Sequence, residues 1–163
     1  MTEKKRKPSA MKILVIHGPN LNLLGEREID IYGRITIKEI NSTLQRVAKA
    51  HAAELKIVQS NHEGDIVDLI GKAKKSFQGI LINPAAYTHT SVAIRDALSA
   101  ATIPAVEAHI SNIYKREEFR QHSLTAAACV GQVAGFGMDS YVLGLQGLIH
   151  SIATRKRAGE KEN

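Results

Sequence analysis

The chain has 163 residues, of which 44% are hydrophobic and 23% are charged, a balance that suits one globular domain with a sizeable core. No apolar run approaches the roughly 18 residues of a membrane span, and the single cysteine, Cys129, excludes an intramolecular disulfide. We therefore expect a cytoplasmic protein with no membrane partner, in which Cys129 belongs to the core and is not a nucleophile.

The net charge of +6 is concentrated at the two ends of the chain. Residues 1–10 contribute +3 and residues 154–163 contribute +2, which leaves +1 for everything between them. The sequence thus predicts a basic disordered tail at 1–10, a single catalytic α/β domain at 11–153 and a charged C-terminal tail at 154–163. We attribute the basic charge to these tails and do not expect a nucleic-acid-binding face.

The first predicted elements enclose an unusually long connection. The apolar run at 13–16 is typical of a buried strand, predicted at 12–16. A helix begins after Thr36, which forms the Thr-x-x-Glu pattern of a capping box with Glu39. The connection at 18–33 is much longer than the roughly 2–6 residues usual in α/β proteins. Because such loops often carry active sites, we expect this one to carry chemistry.

The remaining elements alternate between strands and helices. Apolar runs predict strands at 55–59, 79–83, 103–110 and 126–133, whereas helical periodicity predicts inner faces at 66–73 and 92–98 and a closing helix at 138–153. Apolar strands joined by helices are typical of a parallel sheet that is covered on both faces. The sequence therefore predicts a flavodoxin-like doubly wound five-stranded parallel sheet with helices on both faces.

Polar residues follow three of these strands and should meet at one edge of the sheet. The first strand leads to Asn20, Arg27 and Tyr32, the third to Asn83 and His89, and the fourth to Glu107, His109 and Ser111. Their convergence predicts an enzyme active site, although each residue taken alone has an ordinary structural explanation. Glu107 and His109 share one strand face, either as an orienting pair or as part of a metal site.

Metal and cofactor sites are not supported by the spacing of these residues. His89, Glu107 and His109 could supply three metal ligands, but no His-Glu-x-x-His or Cys-x-x-Cys spacing accompanies them. Gly135 and Gly137 begin a G-x-G pattern, but Ser140 occupies the position of its third glycine. We expect no cofactor and no metal. Arginine near the site instead favours an anionic substrate such as a hydroxylated carboxylic acid.

Acid–base chemistry is available from histidine and tyrosine. Histidine is suited to donate a proton near neutral pH. A tyrosine that is half ionised at pH 7 needs its pKa lowered by about 3 units, or about 4 kcal/mol, which a neighbouring arginine in a closed loop would help to supply.

Four motifs in order give the chain a close resemblance to type II 3-dehydroquinate dehydratase. They are His17–Gly25 with Arg27 and Tyr32-Gly33, then Gln59–Gly64, then Asn83–Ser91, and finally Glu107–Asn112 with Arg116–Arg120. The resemblance covers Met11 to about Ile152. It implies a cofactor-free anti elimination of water from 3-dehydroquinate, through an enolate, to give 3-dehydroshikimate.

The resemblance also implies a role for each matching residue. Tyr32 would remove the C2 proton with help from Arg27 on a lid, and His109 would protonate the departing C1 hydroxyl while Glu107 orients it. Asn20 would hold a water that stabilises the enolate. Asp96 would reach the site of a neighbouring subunit in a dodecamer of trimers. The other substrate-binding positions would be Asn83, His89, Ile110 through its backbone, Ser111 and Arg120.

Three positions depart from the family pattern, and two alternatives remain open. Ile29 replaces a common lid proline, Ala85 stands where glycine is frequent, and Ser140 replaces a late glycine. The same reaction serves shikimate biosynthesis and the catabolic use of quinate, which the sequence does not separate. A non-catalytic flavodoxin-like module that binds a small anion is the alternative of a different class.

Overall fold

The computed structural model describes residues 10–26 and 34–161, and within them five strands form one sheet. The strands are β1 (Met11–His17), β2 (Ala53–Gln59), β3 (Gly79–Asn83), β4 (Ala105–His109) and β5 (Gly131–Ala134). Their spatial order is β2-β1-β3-β4-β5, and each neighbouring pair is parallel. This is the strand order of flavodoxin-like doubly wound sheets, so the predicted fold class is confirmed.

Helices cover both faces of the sheet. They are α1 (Ile37–Ala50), α2 (Glu63–Ala73), α3 (Val92–Ala101) and α4 (Asp139–Lys161). The apolar faces of α1 and α4 pack in one core, and those of α2 and α3 pack in the other. Because successive side chains of a strand point to opposite faces, β1 gives Ile13 and Val15 to the first core and Leu14 and Ile16 to the second.

The predicted capping box at the start of α1 is confirmed. The Thr36 hydroxyl accepts the Glu39 backbone N–H at 3.3 Å, and the Glu39 carboxylate accepts the Thr36 N–H at 2.7 Å. These two bonds satisfy backbone donors that the first turn of a helix cannot pair. The helix then buries Ile40 and Leu44 against the sheet, as its periodicity predicts.

The fifth strand is shorter than predicted, because its first half is helical. Ala126–Ala128 forms a short 3₁₀ helix, and β5 begins at Gly131. The Ser123 hydroxyl accepts the Ala126 N–H at 2.9 Å, and the Thr125 carbonyl accepts the Ala128 N–H at 3.0 Å. Local bonds of this kind compete with a strand ladder, which explains why the prediction of a strand from residue 126 is wrong.

Two further expectations about helices are wrong. Val92, predicted on the inner face of α3, is 58% exposed at the first position of that helix. The closing helix, predicted to end at 153, continues to Lys161, so most of the charged C-terminal segment is helical. Residues 154–158 include Arg, Lys and Ala, which favour helix, and extending an existing helix needs no new nucleus. No described helix has both the length and the apolarity needed to cross a membrane.

Candidate active site

The carboxyl ends of β1, β3 and β4 border one cavity of about 190 Å³. It therefore lies at the edge of the sheet where ligands bind in doubly wound folds. Its lining combines apolar side chains with polar groups from five segments of the chain. The polar and charged residues that line it are Asn20, Asn83, His89, His109, Ser111, Arg116 and Arg120, together with the residue Ile110.

The ends of β1 and β3 are held unusually close together. The Gly18 N–H donates to the Asn83 carbonyl at 2.7 Å. A Cβ atom at Gly18 would lie 2.5 Å from the Pro84 carbonyl oxygen, a distance that no side chain tolerates. Glycine at this position thus allows the loop after β1 to cross the end of β3, which places Asn20 and Asn83 on the same cavity.

Asn20 has a left-handed backbone conformation, with φ of 66°. Its N–H donates to Asn61 Oδ1 at 3.0 Å, and Gln59 Nε2 donates to the same oxygen at 2.9 Å. Gln59 Nε2 also lies 3.2 Å from the Gly18 carbonyl, and the Tyr87 hydroxyl donates to the Asn61 carbonyl at 2.8 Å. The end of β2 thereby fixes Asn20, a function of Asn61 that the sequence analysis missed.

Asn83 and His89 are oriented by bonds to the backbone. Asn83 Oδ1 accepts the Ala85 N–H at 3.0 Å, so the two amide N–H groups of this buried side chain serve other partners, one of which is the Tyr141 hydroxyl. His89 Nδ1 lies 2.8 Å from the His122 carbonyl, which can only accept a hydrogen bond. Nδ1 of His89 therefore carries a proton, and Nε2 is the nitrogen left for other partners.

Glu107 and His109 form a buried pair at the end of β4. Glu107 Oε1 lies 2.7 Å from His109 Nε2, and the two side chains share one face of the strand because they are two residues apart. The carboxylate accepts the Nε2 proton, which leaves Nδ1 as the nitrogen that can exchange a proton with a ligand. His109 lines the cavity, whereas Glu107 is fully buried behind it.

Four further donors surround the Glu107 carboxylate. Oε1 also receives hydrogen bonds from Thr88 Oγ1 at 2.8 Å, Ser123 Oγ at 2.8 Å and Gln132 Nε2 at 2.9 Å, and Oε2 receives one from Thr125 Oγ1. Burial by itself raises the pKa of Glu107, but the bonds from His109, Thr125 and Ser123 outweigh it and hold the pKa below its ordinary value. The carboxylate is therefore a fixed anion.

A second buried group of polar residues lies behind the cavity. His17 Nδ1 lies 2.8 Å from the Tyr141 hydroxyl, and its Nε2 lies 2.8 Å from Asn41 Oδ1. Burial lowers the pKa of His17 and raises the pKa of Tyr141. Both side chains are consequently neutral at pH 7, and they join α1 and α4 to the end of β1.

Cys129 has the properties of an inert thiol. Burial, and to a smaller extent the charge of Glu107, raises its pKa to about 12. A thiol that stays protonated at neutral pH is a poor nucleophile. Its sulfur lies 3.6 Å from the Thr125 carbonyl.

Two arginines from the segment after β4 give the cavity positive charge. Arg120 Nε lies 3.4 Å from the Glu117 carboxylate without hydrogen-bond geometry, and the side chain is about one-third exposed, at 33%. Arg116, 3.6 Å from the same carboxylate, also lines the cavity, although the sequence analysis assigned it no site role. Both arginines lie in the run of charged residues that follows β4, and this run was the feature of the sequence that could have indicated a site role for Arg116.

The predicted site residues thus fall into three groups. The cavity brings together seven of them, and Glu107 lies directly behind His109. Asp96 lies exposed on α3 and does not line the cavity of its own chain, so its role at a neighbouring subunit stays a prediction. Arg27 and Tyr32 lie outside the described residues, as does Ile29. Across residues 10–26 and 34–161, no cluster of three or more His, Cys, Asp or Glu side chains could hold a metal ion.

Comparison with known proteins places these residues in one family. Residues 11–149 match the model of the family described as dehydroquinase class II. The chain is 58% identical over 147 residues to a 3-dehydroquinate dehydratase from Acaryochloris marina, covering 90% of this chain and 99% of that protein. It is 56% identical to the enzyme of that name from Carboxydothermus hydrogenoformans, covering 91% and 97% of the two chains. The type II dehydroquinase structure from Butyrivibrio crossotus superposes with a TM-score of 0.84 at 47% identity, covering 86% of this chain and 99% of that one.

Proposed function

The chain belongs to the class II dehydroquinase family, and from this premise we propose how its residues divide the work of dehydration. Its reaction is that of a type II 3-dehydroquinate dehydratase, a hydro-lyase, in the shikimate pathway. The observation that carries the proposal is the buried Glu107–His109 pair, which presents Nδ1 of an oriented imidazole to a cavity rimmed with hydrogen-bond donors and arginine.

His109 is the general acid of the proposal. Cleavage of the C1–O bond leaves a hydroxide equivalent unless that oxygen receives a proton. The imidazolium form of His109 supplies the proton from Nδ1, so that water departs and the neutral ring keeps its Nε2–H. Glu107 orients the ring through its Nε2–H bond of 2.7 Å and stabilises the imidazolium form. Glu107 itself does not need to change protonation, because its donors hold it as an anion.

Tyr32 is the general base, and Arg27 is its activating cation. Removal of the C2 proton sends the electron pair of the C–H bond towards the C3 carbonyl and creates an enolate. A tyrosine accepts this proton only when it is ionised, and a nearby arginine favours the ionised form. Both assignments rest on the resemblance of the loop motif, since both residues lie outside the described part of the chain.

The remaining cavity residues bind the substrate or its enolate. Asn20 holds the water that stabilises the enolate, and its fixed backbone supports this role. Asn83 lines the cavity, and its amide group, which carries two N–H donors, suits a hydroxyl or carbonyl oxygen. The other proposed substrate contacts are His89, the backbone at Ile110, Ser111 and Arg120.

Two proposals concern the setting of the enzyme. We propose assembly into a dodecamer of trimers, in which the exposed Asp96 reaches the site of a neighbouring subunit. Light scattering tests the mass of that assembly, and Asp96→Ala tests the shared site. We also propose a cytoplasmic location, which is consistent with a single free cysteine.

Stereospecifically deuterated 3-dehydroquinate tests the proposed elimination. With deuterium at C2 anti to the C1 hydroxyl, the product should contain none, whereas deuterium at the other C2 position should be retained. Retention of the anti label would contradict the mechanism. Tyr32→Phe and Arg27→Ala should each abolish turnover while the far-ultraviolet circular dichroism stays that of the wild type, and near-normal turnover in either would refute its role.

A further inference from the structure

The Glu107 carboxylate has more hydrogen-bond donors than an orienting partner for His109 needs. Five side chains donate to its two oxygens, and it is fully buried. A proton on the carboxyl would turn one of these accepted bonds into a donated one, which an N–H group cannot accept and which a hydroxyl accepts only by turning its own hydrogen away. All five side chains can donate at once only when Glu107 is ionised. Together they therefore form a site that is suited to a carboxylate.

Three of the five donors are hydroxyls that also contact one another. Thr88 Oγ1 lies 2.7 Å from Ser123 Oγ and 2.8 Å from Thr125 Oγ1. Thr88 and Thr125 are fully buried, and none of the three lines the cavity. We refer to Thr88, Ser123 and Thr125 as the hydroxyl cluster. Because these side chains do not line the cavity, they can affect the reaction only through residues that they position, and Glu107 is the residue that all three contact.

The hydroxyl cluster joins two segments that carry cavity residues. Thr88 precedes His89, while Ser123 and Thr125 follow Arg120. The two segments are bonded again by the Leu124 N–H to the Thr88 carbonyl at 2.7 Å and by the His89 bond to the His122 carbonyl. The Glu107 carboxylate thus lies between His109, the proposed general acid on β4, and the two segments that carry His89 and Arg120.

We propose that the hydroxyl cluster is a set of positioning residues for the acid step. It holds Glu107 as an anion in one orientation, and Glu107 in turn keeps His109 in the Nε2–H form with Nδ1 available to the cavity. The proposal rests on the proposed role of His109. It extends that role to three residues that touch neither substrate nor His109.

Thr125→Val is the sharpest test, because valine has the shape of threonine without its hydroxyl. Loss of a hydrogen bond to a charged group should lower kcat by about tenfold to hundredfold, with KM changed by less than about threefold. The acid limb of the kcat profile should move to higher pH, because Glu107 loses a bond that lowers its pKa. Among the described residues, the ionisable groups that interact with this carboxylate are His109 and the Cys129 thiol. Thr125→Ser should restore both kcat and the profile.

Two further variants separate positioning from packing. Ser123→Ala removes a half-buried hydroxyl and tests the cluster should Thr125→Val fold poorly. Ser140→Ala removes a buried hydroxyl that accepts the Phe136 N–H at 3.0 Å outside the cluster, and it should leave the pH profile unchanged. A Thr125→Val or Ser123→Ala variant with lower Tm but wild-type kcat and pH profile would overturn the proposal.

A measurement that does not depend on turnover can test the positioning role separately from the proposed function. Nitrogen-15 NMR of the histidine rings should show a protonated Nε2 for His109 in the wild type and mixed tautomers in Thr125→Val. If the wild type fails to convert 3-dehydroquinate but this change occurs, the proposed function falls and the positioning role stands. An unchanged His109 spectrum in Thr125→Val would refute the positioning role.

Discussion

Glu107 and His109 lie two residues apart on β4 and are joined by a bond of 2.7 Å between Oε1 and Nε2. The carboxylate is fully buried and the imidazole is 5% exposed, so water provides little competition for this bond. The pair gives the cavity an oriented proton donor, and its carboxylate connects that donor to three other segments of the chain.

Replacing the carboxylate by an amide should disable the acid. In Glu107→Gln, one of the two positions that accept five hydrogen bonds becomes a donor itself, so at least one neighbouring donor loses its partner. We expect kcat to fall by about a hundredfold or more in steady-state kinetics. Glu54→Gln, an exposed change on β2, is the matched control and should retain wild-type kcat.

Asn61 is not a proposed substrate contact, but removing its side chain should still lower kcat. Asn61 Oδ1 accepts the N–H of the left-handed Asn20, so Asn61→Ala frees that backbone and should lower kcat by about tenfold. Asn61→Asp keeps the acceptor oxygen and should recover most of the activity. Equal kcat values for the alanine and aspartate variants would show that this bond does not position Asn20.

Glycine at position 85 should stabilise the fold. Ala85 has a φ of 52°, a conformation that costs a residue with a Cβ roughly 1 kcal/mol or more. Ala85→Gly should therefore raise Tm by about 2–4 °C in thermal unfolding. The neighbouring Ala86→Gly has no positive φ to relieve and should lower Tm, because glycine adds entropy to the unfolded chain. A lower Tm for Ala85→Gly would contradict the strain at this position.

Acidification should destabilise the protein through His17. Burial lowers the pKa of His17 in the folded chain, while the unfolded chain keeps the ordinary value of about 6.5. As pH falls below that value, the unfolded state takes up a proton first, so stability falls until the pH reaches the folded pKa. Above about 6.5 both states are neutral and the contribution is fully present.

Thermal unfolding at about pH 7.5 and about pH 5 measures this effect. The loss of Tm on acidification should be smaller in His17→Gln than in the wild type, since glutamine does not titrate. His150→Gln changes an exposed histidine on α4 and should preserve the wild-type loss. An identical loss of Tm in His17→Gln and the wild type would assign the acid sensitivity to other groups.

Local sequence patterns predicted most of the fold because its strands and helices follow local rules. The apolar run of β3 and the Thr36–Glu39 capping box were placed correctly, since each depends on neighbouring residues. The start of the fifth strand was not, because Ser123 and Thr125 form local bonds that a count of apolar residues does not include. Helix α4 extends beyond its last apolar positions, because an existing helix continues readily through residues that favour helix.

The sequence could predict those residues of the candidate site whose positions are set by the ends of strands. Asn83, His109 and Ser111 follow strands that meet at one edge, so their convergence could be expected. The four donors to Glu107 other than His109 come from a 3₁₀ helix, a connecting segment and β5, and no fixed spacing relates them. Gln132 reaches Glu107 because β5 pairs with β4 in a register that places the two side by side. Such contacts depend on tertiary structure and leave no local signal.

The Ala85 position shows how a departure from a family pattern acquires a physical meaning. The resemblance to the family marked Ala85 as a position where glycine is frequent, and its positive φ supplies a physical reason. The same residue gives its N–H to Asn83 Oδ1 at 3.0 Å, so the strain lies in the turn that orients a proposed substrate-binding amide. The positive φ of Ala85 lowers the stability of the fold, and it is retained because the site requires the shape of this turn.

Incubation of the purified chain with 3-dehydroquinate tests the central claim most directly. The appearance of the conjugated enone absorbance of 3-dehydroshikimate, without added metal or cofactor, is the predicted result for the wild type, and its loss is predicted for His109→Ala. An absence of product with the folded wild-type protein would contradict the assignment of this cavity as a dehydratase site.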